Sequence, residues 1–426
     1  MDKPVPLAGK ALRSFDCKLA LWAAKMLFQE IRSHPGSAAA KFRTFLAMRR
    51  SSRIYMSKLK PVGFGRSVKM GLYLPHWPSQ AMEARVRRAL NSNGVHHHEQ
   101  VMLCTTDECP YKCPHCFNYR KGQRPMPIQR LRELVGEIQQ AGGSWICIHG
   151  GEPLVDLDRT MAAIAAADGR SEVWLATTGF GLDAGTAREL KKAGLFGACV
   201  SLHHYKPAEH DAFVGYAGAF EIAVDAVEHF KRANVFVVLN TTLTQERINH
   251  GEISKTMELA KDLGAGMVEI LFIRPAGRAV VGCDQLLPKG NEQALLEDAM
   301  QTFNRDARYQ DYPVLLGPPY FEAPDRFGCV AGNERIFIST AGDLQPCAMV
   351  NLSVGNVAGE SFSAVLDRLR SLLPRPRREL LCTHLQPVVA QRIESSEGLG
   401  LPLDPPLSLD MLRQLPRSPS PGAYCR

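Results

Sequence analysis

Between residues 101 and 273 the chain alternates short apolar runs with helical stretches, and that alternation leaves it little choice of fold. The runs are residues 101–105, 145–149, 173–177, 198–202, 235–239 and 267–273. Each is nearly all apolar, as expected of a strand buried on both faces. Residues 129–140, 184–193, 219–233 and 253–263 lie between them and carry helical spacing, and Gly142-Gly143 supplies a helix stop. Strict alternation of strand and helix implies a parallel sheet with right-handed crossovers. The residues that end the strands then gather on one rim, where open α/β sheets hold ligands.

Two motifs stand at the ends of the first two runs. Cys109, Cys113 and Cys116 follow the first, spaced C-x3-C-x2-C, in a chain with only 12 Cys among 426 residues. Three thiolates this close can hold three irons of one cubane cluster and leave the fourth iron open. The alternative is a closed zinc site completed by His115 or by a distant ligand. The second run ends in Gly150-Gly151-Glu152-Pro153. Two glycines at a strand end let the backbone approach a ligand closely.

With these two motifs in order and about thirty residues apart, the chain resembles the radical S-adenosylmethionine (SAM) enzymes. The resemblance implies a partial (β/α)6 barrel within an α/β fold. It implies that Cys109, Cys113 and Cys116 bind a [4Fe-4S] cluster whose open iron chelates SAM. Gly150, Gly151 and Glu152 would hold the SAM amino group, and His115, just before the third Cys, would pack near the adenine. Ser201 and Asn240 are the expected partners of the SAM ribose and carboxylate; termination of their strands by local hydrogen bonds is the alternative. Thr178 and Arg274 are weaker candidates of the same kind. Further likeness lies in Val200-Ser201-Leu202, His210-Asp211, Gly218-Ala219-Phe220 and Arg274-Pro275-Ala276-Gly277-Arg278. The family chemistry takes one electron from a reductase of flavodoxin or ferredoxin type, cleaves SAM to a 5′-deoxyadenosyl radical and abstracts a substrate hydrogen. Cys104, Cys147 and Cys199 fall inside apolar runs and read as core.

A second cysteine set follows. Residues 335–339 alternate as a strand, Ala341-Gly342-Asp343 makes a turn, and residues 344–347 return, with Cys329 before this hairpin and Cys347 at its end. A helix over residues 362–372 and then Cys382 come next. This resembles the C-terminal auxiliary-cluster extension of radical SAM proteins, in its short "twitch" form, since the dense Cys run of the longer SPASM form is missing. The resemblance implies a second [4Fe-4S] cluster on Cys329, Cys347 and Cys382. Its fourth position falls to Cys425, to His384 or to substrate. A structural zinc site is the alternative for the whole extension.

Charge sets the N-terminus apart. Residues 1–70 hold 15 Lys and Arg against 3 Asp and Glu, a net of +12, while the remainder holds 36 against 40. Lys18, Lys25 and Arg32 recur every seven residues, near Trp22, Met26 and Phe28. The segment is too charged to span a bilayer and is not a cleaved signal. It reads either as an amphipathic helix on an anionic membrane surface or as a helical cap on the barrel. Nucleic acid is not expected, since no recognised binding module accompanies the charge. His96-His97-His98 reads as a solvated linker. Twelve Cys in a chain this long suit metal ligation in a reducing compartment, hence a cytoplasmic protein, peripheral to the membrane where the arm binds it.

The resulting expectation is a basic helical region (1–95), a radical SAM core (96–315), an auxiliary-cluster domain (316–390) and an irregular Pro/Ser-rich tail (391–426). Two substrate classes follow. The basic arm suggests a membrane lipid; a peptide under post-translational modification is the other, although no leader-binding winged helix is evident. The rival from another class is a non-catalytic iron–sulfur or zinc module, which has no need of the Gly-Gly-Glu-Pro motif.

Overall fold

The computed structural model describes residues 4–34, 37–58, 61–92, 98–118, 123–249, 251–280, 287, 292–395, 401–416 and 418. The N-terminal region forms β1 (Val5–Pro6), α1 (Gly9–Ser33), α2 (Ala38–Lys58), β2 (Val62–Phe64), β3 (Ser67–Lys69) and α3 (Gln80–Asn91). Its three strands make a small antiparallel sheet. Phe15, Leu19, Met26 and Leu27 share one face of α1 and bury against Met82, Val86 and Leu90 of α3. Trp22 meets the edge of Trp77 with ring centroids 6.3 Å apart. Trp22 and Met26 therefore pack inward, on the side of α1 away from the basic stripe; Lys18, Lys25, Phe28 and Arg32 stay exposed.

The core follows as β4 (Gln100–Thr106), α4 (Ile128–Ala141), β5 (Trp145–Gly150), α5 (Leu157–Ala165), β6 (Glu172–Thr177), α6 (Ala184–Ala193), β7 (Leu195–Ser201), α7 (Pro207–Val214), α8 (Ala219–Arg232), β8 (Phe236–Leu243), α9 (Gln245–Asn249), α10 (Glu252–Leu263), β9 (Met267–Phe272), α11 (Glu292–Arg305), β10 (Val314–Leu316) and α12 (Pro318–Phe321). All six expected strands are present. Strands β4 to β10 pair in sequence order and in parallel, each with the next. The sheet stays open, with β10 at one end, so the barrel is partial.

The C-terminal segment joins the same sheet. β11 (Arg335–Ile338) runs parallel to β4, and β12 (Leu344–Gln345) folds back on β11 as the expected hairpin. α13 (Phe362–Leu372), α14 (Leu381–Ser395) and α15 (Pro405–Arg413) follow. Residues 391–395 and 405–413 are thus helical, where the Pro content suggested irregular chain. Asp404 caps α15 by accepting from Leu407 N at 3.3 Å, and Pro405 and Pro406 occupy its first turn. Proline is favoured there because those N–H groups have no helical partner to lose. His98 is likewise no solvated linker: it is buried, with Nε2 2.8 Å from the Gly332 carbonyl, while His96 and His97 lie outside the described residues.

Residues 69–77 close the bottom of the sheet. The Lys69 ammonium pairs with the Glu172 carboxylate at the start of β6, both side chains being shielded from solvent. Glu172 also accepts from His76 N at 2.7 Å and Trp174 Nε1 at 2.7 Å. Tyr73 Oη donates to Glu269 in the middle of β9 at 2.5 Å. Breaking a buried pair leaves an uncompensated charge. Lys69→Met should therefore lower unfolding stability by about 3–5 kcal/mol, and Lys69→Met/Glu172→Leu should recover part of that. Urea unfolding of the three proteins checks this; equal midpoints for wild type and Lys69→Met would show that the pair does not clamp the region.

Candidate functional site

Three backbone segments interlock around the loop that leaves β4. Gly151 N donates to the Thr106 carbonyl and Glu152 N to that of Glu108, each at 2.7 Å. A Cβ on Gly151 would lie 2.3 Å from the Glu108 carbonyl oxygen, and one on Gly150 would lie 2.6 Å from that of Thr106. Across the loop, Arg278 N donates to the Cys116 carbonyl at 3.0 Å. Gly277, at φ +57°, approaches so closely that a Cβ would lie 2.2 Å from the same oxygen. Lys112 N donates to the Val214 carbonyl at the end of α7, at 2.8 Å. The glycines expected to approach a ligand first make room for the cysteine loop.

Cys109, Cys113 and Cys116 all face one cavity of about 370 Å³. Cys109 is exposed, and the other two are half-buried. Burial, reinforced by Cys116 and Cys109 nearby, pushes the Cys113 thiol up to about 12. Such thiols become thiolates only when a cation compensates them. Among the described residues, no three His, Cys, Asp or Glu side chains converge on the position of a single metal ion. A multi-iron cluster takes one thiolate per iron, so the donor chemistry of this loop fits such a cluster.

Glu152 is fully buried and does not line the cavity. Its carboxylate accepts from Thr177 Oγ1, Thr178 N and Thr178 Oγ1 at 2.6 Å each, and from Leu154 N at 3.1 Å. A carboxylate offers about four lone-pair positions, and all are used. Burial raises its pKa, and these hydrogen bonds oppose the rise. Glu152 therefore braces the rim, while Gly150, Gly151, Thr177 and Thr178 line the cavity.

Ser201 and Asn240 are register partners on β7 and β8, and both line the cavity. Asn240 Oδ1 is buried without a hydrogen-bond partner. His115 stacks on Phe213 at 4.9 Å between ring centroids and meets the edge of His203, also at 4.9 Å. Burial lowers its pKa to about 4, and its Nδ1 has no partner. The imidazole is thus neutral at physiological pH, as a flat surface for a ring would be.

The second cysteine set lines the same cavity. Cys329, Cys347 and Cys382 are all buried. Cys329 Sγ accepts from Leu381 N, in the first turn of α14, at 3.4 Å. Burial pushes the Cys329 and Cys382 thiols up to about 12 and about 11. Burial also raises the Cys347 thiol, and the Arg335 guanidinium opposes that rise. His384 is exposed and lines another hollow, not the cavity that the two cysteine sets share. Cys425 lies outside the described residues. Arg274 lines the cavity with its guanidinium 3.9 Å from Glu322. Cys147 and Cys199 are buried as expected, yet they also face this space; Cys104 is plain core.

Tyr73 and Glu269 were not read from the sequence. Burial raises Glu269 to about 7, opposed by the Tyr73 hydrogen bond. A carboxylate in an otherwise apolar strand was the available signal. Tyr73 carried none, because it reaches the site from outside the alternating region. His203, two residues past Ser201, was missed for want of any spacing rule.

Residues 103–260 match the family described as "Radical SAM superfamily". The AdoMet-dependent heme synthase of Methanosarcina barkeri is 27% identical over 283 residues, 62% of this chain and 80% of that protein. The PqqA peptide cyclase of Streptomyces rochei is 25% identical over 281 residues, 64% of this chain and 76% of that protein. Among solved structures, Streptococcus suis SuiB bound to precursor peptide SuiA superposes with TM-score 0.53 at 15% identity, covering 67% of this chain and 68% of that one. The anSMEcpe enzyme with bound AdoMet gives TM-score 0.50 at 15% identity, over 64% of this chain and 82% of that one. Those two likenesses bear on the fold. Strand order and the cysteine loop agree with that match, so residues 103–260 are similar to the domain described as the radical SAM superfamily.

Proposed function

We propose that this protein is a radical SAM enzyme with two iron–sulfur clusters facing one substrate cavity. The observation that carries the reading is that Cys109, Cys113 and Cys116 line the same space as Cys329, Cys347 and Cys382. When bound, a [4Fe-4S] cluster with SAM supplies a 5′-deoxyadenosyl radical able to abstract hydrogen from an unactivated carbon. The protein's part is to hold, orient and keep water out. Gly150, Gly151 and the Thr177–Thr178 edge would seat the amino end of SAM, with Glu152 fixing that edge from behind. Asn240 Oδ1 offers a free acceptor to the ribose hydroxyls, beside Ser201. His115, backed by Phe213, would pack against the adenine.

Cys329, Cys347 and Cys382 are assigned to the auxiliary cluster. Three buried thiols, one on the N-terminal end of a helix and one beside Arg335, would keep a negatively charged cluster apart from solvent. An electron acceptor there suits a net oxidation or cross-link of the substrate. A flavodoxin- or ferredoxin-type reductase would supply the starting electron. A second reading, peptide modification, draws on the relatives: one is a PqqA peptide cyclase, and SuiB is seen with a precursor peptide.

Anaerobically reconstituted protein should release 5′-deoxyadenosine from SAM and dithionite without added substrate. Cys113→Ala should abolish this by at least a hundredfold and leave a soluble protein; undiminished cleavage would sink the assignment of the three-cysteine loop.

Iron content tests the second assignment. Wild type should hold roughly eight irons on the two-cubane reading. Replacing Cys109, Cys113 and Cys116 together should leave about half, and Cys347→Ala should lower the wild-type content while sparing substrate-free SAM cleavage. Zinc in the remaining site, or no metal at all, would overturn the auxiliary cluster.

A further inference from the structure

A second cavity, of about 390 Å³, lies between the basic N-terminal helices and residues of β10, β4 and β11. Its volume is within the range of ligand pockets. Its outer walls are side chains of α1, α2 and α3, including Leu19, Trp22, Phe45, Met48, Met82 and Val86. Its inner wall is the boundary with the cysteine cavity. Leu72, Tyr73, Pro318, Glu322, Val330 and Arg335 line both spaces. The polar groups of this boundary already hold one another. Arg335 is 3.0 Å from Glu322 and lies over the Tyr73 ring at 4.9 Å, and Tyr73 bonds Glu269. Buried Gly71 lines the outer cavity, and a Cβ built on it would meet nothing within 4 Å.

Outside, α1 presents Lys18, Leu21, Lys25, Phe28 and Arg32 along one exposed stripe. Leu21 is 73% and Phe28 62% exposed. Phe42 and Leu46 of α2 are exposed as well. Apolar side chains set among cations in a region of net +12 complement an anionic interface.

We propose that the outer cavity binds the acyl or isoprenoid chain of an anionic membrane lipid, and that the lipid's polar end reaches the cysteine cavity past Tyr73. This rests on the radical SAM reading only for the reaction, not for the binding site. A peptide fits less well. Its main chain would need a partner for every buried N–H and C=O. The outer walls are helices whose backbone groups are already bonded within the helix. An alkyl chain asks for none.

The test uses reconstituted full-length protein and octyl, decyl and dodecyl phosphate below their micellar concentrations, followed by titration calorimetry. Affinity should rise roughly fourfold per added methylene, and inorganic phosphate should not bind. Gly71→Phe, which fills the cavity, should lose the chain-length dependence, and so should Ala47→Trp at the rim. Phosphatidylglycerol vesicles should sediment the protein at low salt and release it at high salt. Affinity independent of chain length, or unchanged in both variants, overturns the proposal. Tighter binding of a Leu/Phe-rich tetrapeptide than of dodecyl phosphate, lost in Gly71→Phe, overturns it in favour of a peptide groove. Absence of vesicle binding overturns the membrane source. Chain-dependent binding in a protein that makes no 5′-deoxyadenosine upholds the lipid site and rejects the reaction instead.

Discussion

Backbone-to-backbone contact around residues 106–116 is the constraint on which the rest of this structure depends. Thr106 and Glu108 accept from the Gly-Gly-Glu turn after β5, and Cys116 accepts from the turn after β9. At Gly150, Gly151 and Gly277 there is no room for a Cβ. Strands β5 and β9 have three strands between them in the sheet, so this loop is gripped from two sides of the rim at once. A cysteine loop held this way presents its thiols in a fixed arrangement before any metal arrives. Preorganisation of that kind lowers the ordering cost of assembling a cluster.

Much of this architecture was legible in the sequence, for a specific reason. Strands buried on both faces leave long apolar runs, so residues 101–105 or 173–177 could hardly be anything else. Hairpin β11–β12 was equally plain, because Gly342 sits at its turn with φ +97°. The tail misled because proline signals both loops and helix starts. Asp404-Pro405-Pro406 is a capped first turn, distinguishable from a linker only by the apolar residues Leu407 and Leu412 behind it. The amphipathic arm was legible only in part. Its apolar stripe was visible, but periodicity gives a face and not the partner of that face, and α3 turned out to cover it.

The same division runs through the site. Residues tied to a motif, from Cys109 to Gly151, were singled out by spacing, and the fold brings them to one rim. Glu152 was singled out by its motif, but its hydrogen bonds were not legible, since nothing in a sequence reveals that four donors will converge on one carboxylate. Tyr73, Glu269 and His203 were missed because each is a single side chain brought in by tertiary folding. That the two cysteine sets line one cavity also follows only from the fold: β11 pairs with β4, and this carries Cys329 and Cys347 to the edge of the first loop's strand.

The plug formed by residues 69–77 has a consequence for how the chain matures. Lys69 is 103 residues from Glu172, Tyr73 is 196 from Glu269, and His98 is 234 from Gly332. Contacts this distant in sequence carry a large loop-closure entropy and slow folding. At ribosomal rates of about 5–20 residues per second, Tyr73 waits roughly 10–40 s for its partner to be made. Throughout that interval the basic helices exist without the sheet they will cover. Leu19, Met26 and Met82 can bury against one another as soon as α3 is made, so the residues left waiting for the sheet are Lys69 and Tyr73, whose polar partners lie on β6 and β9.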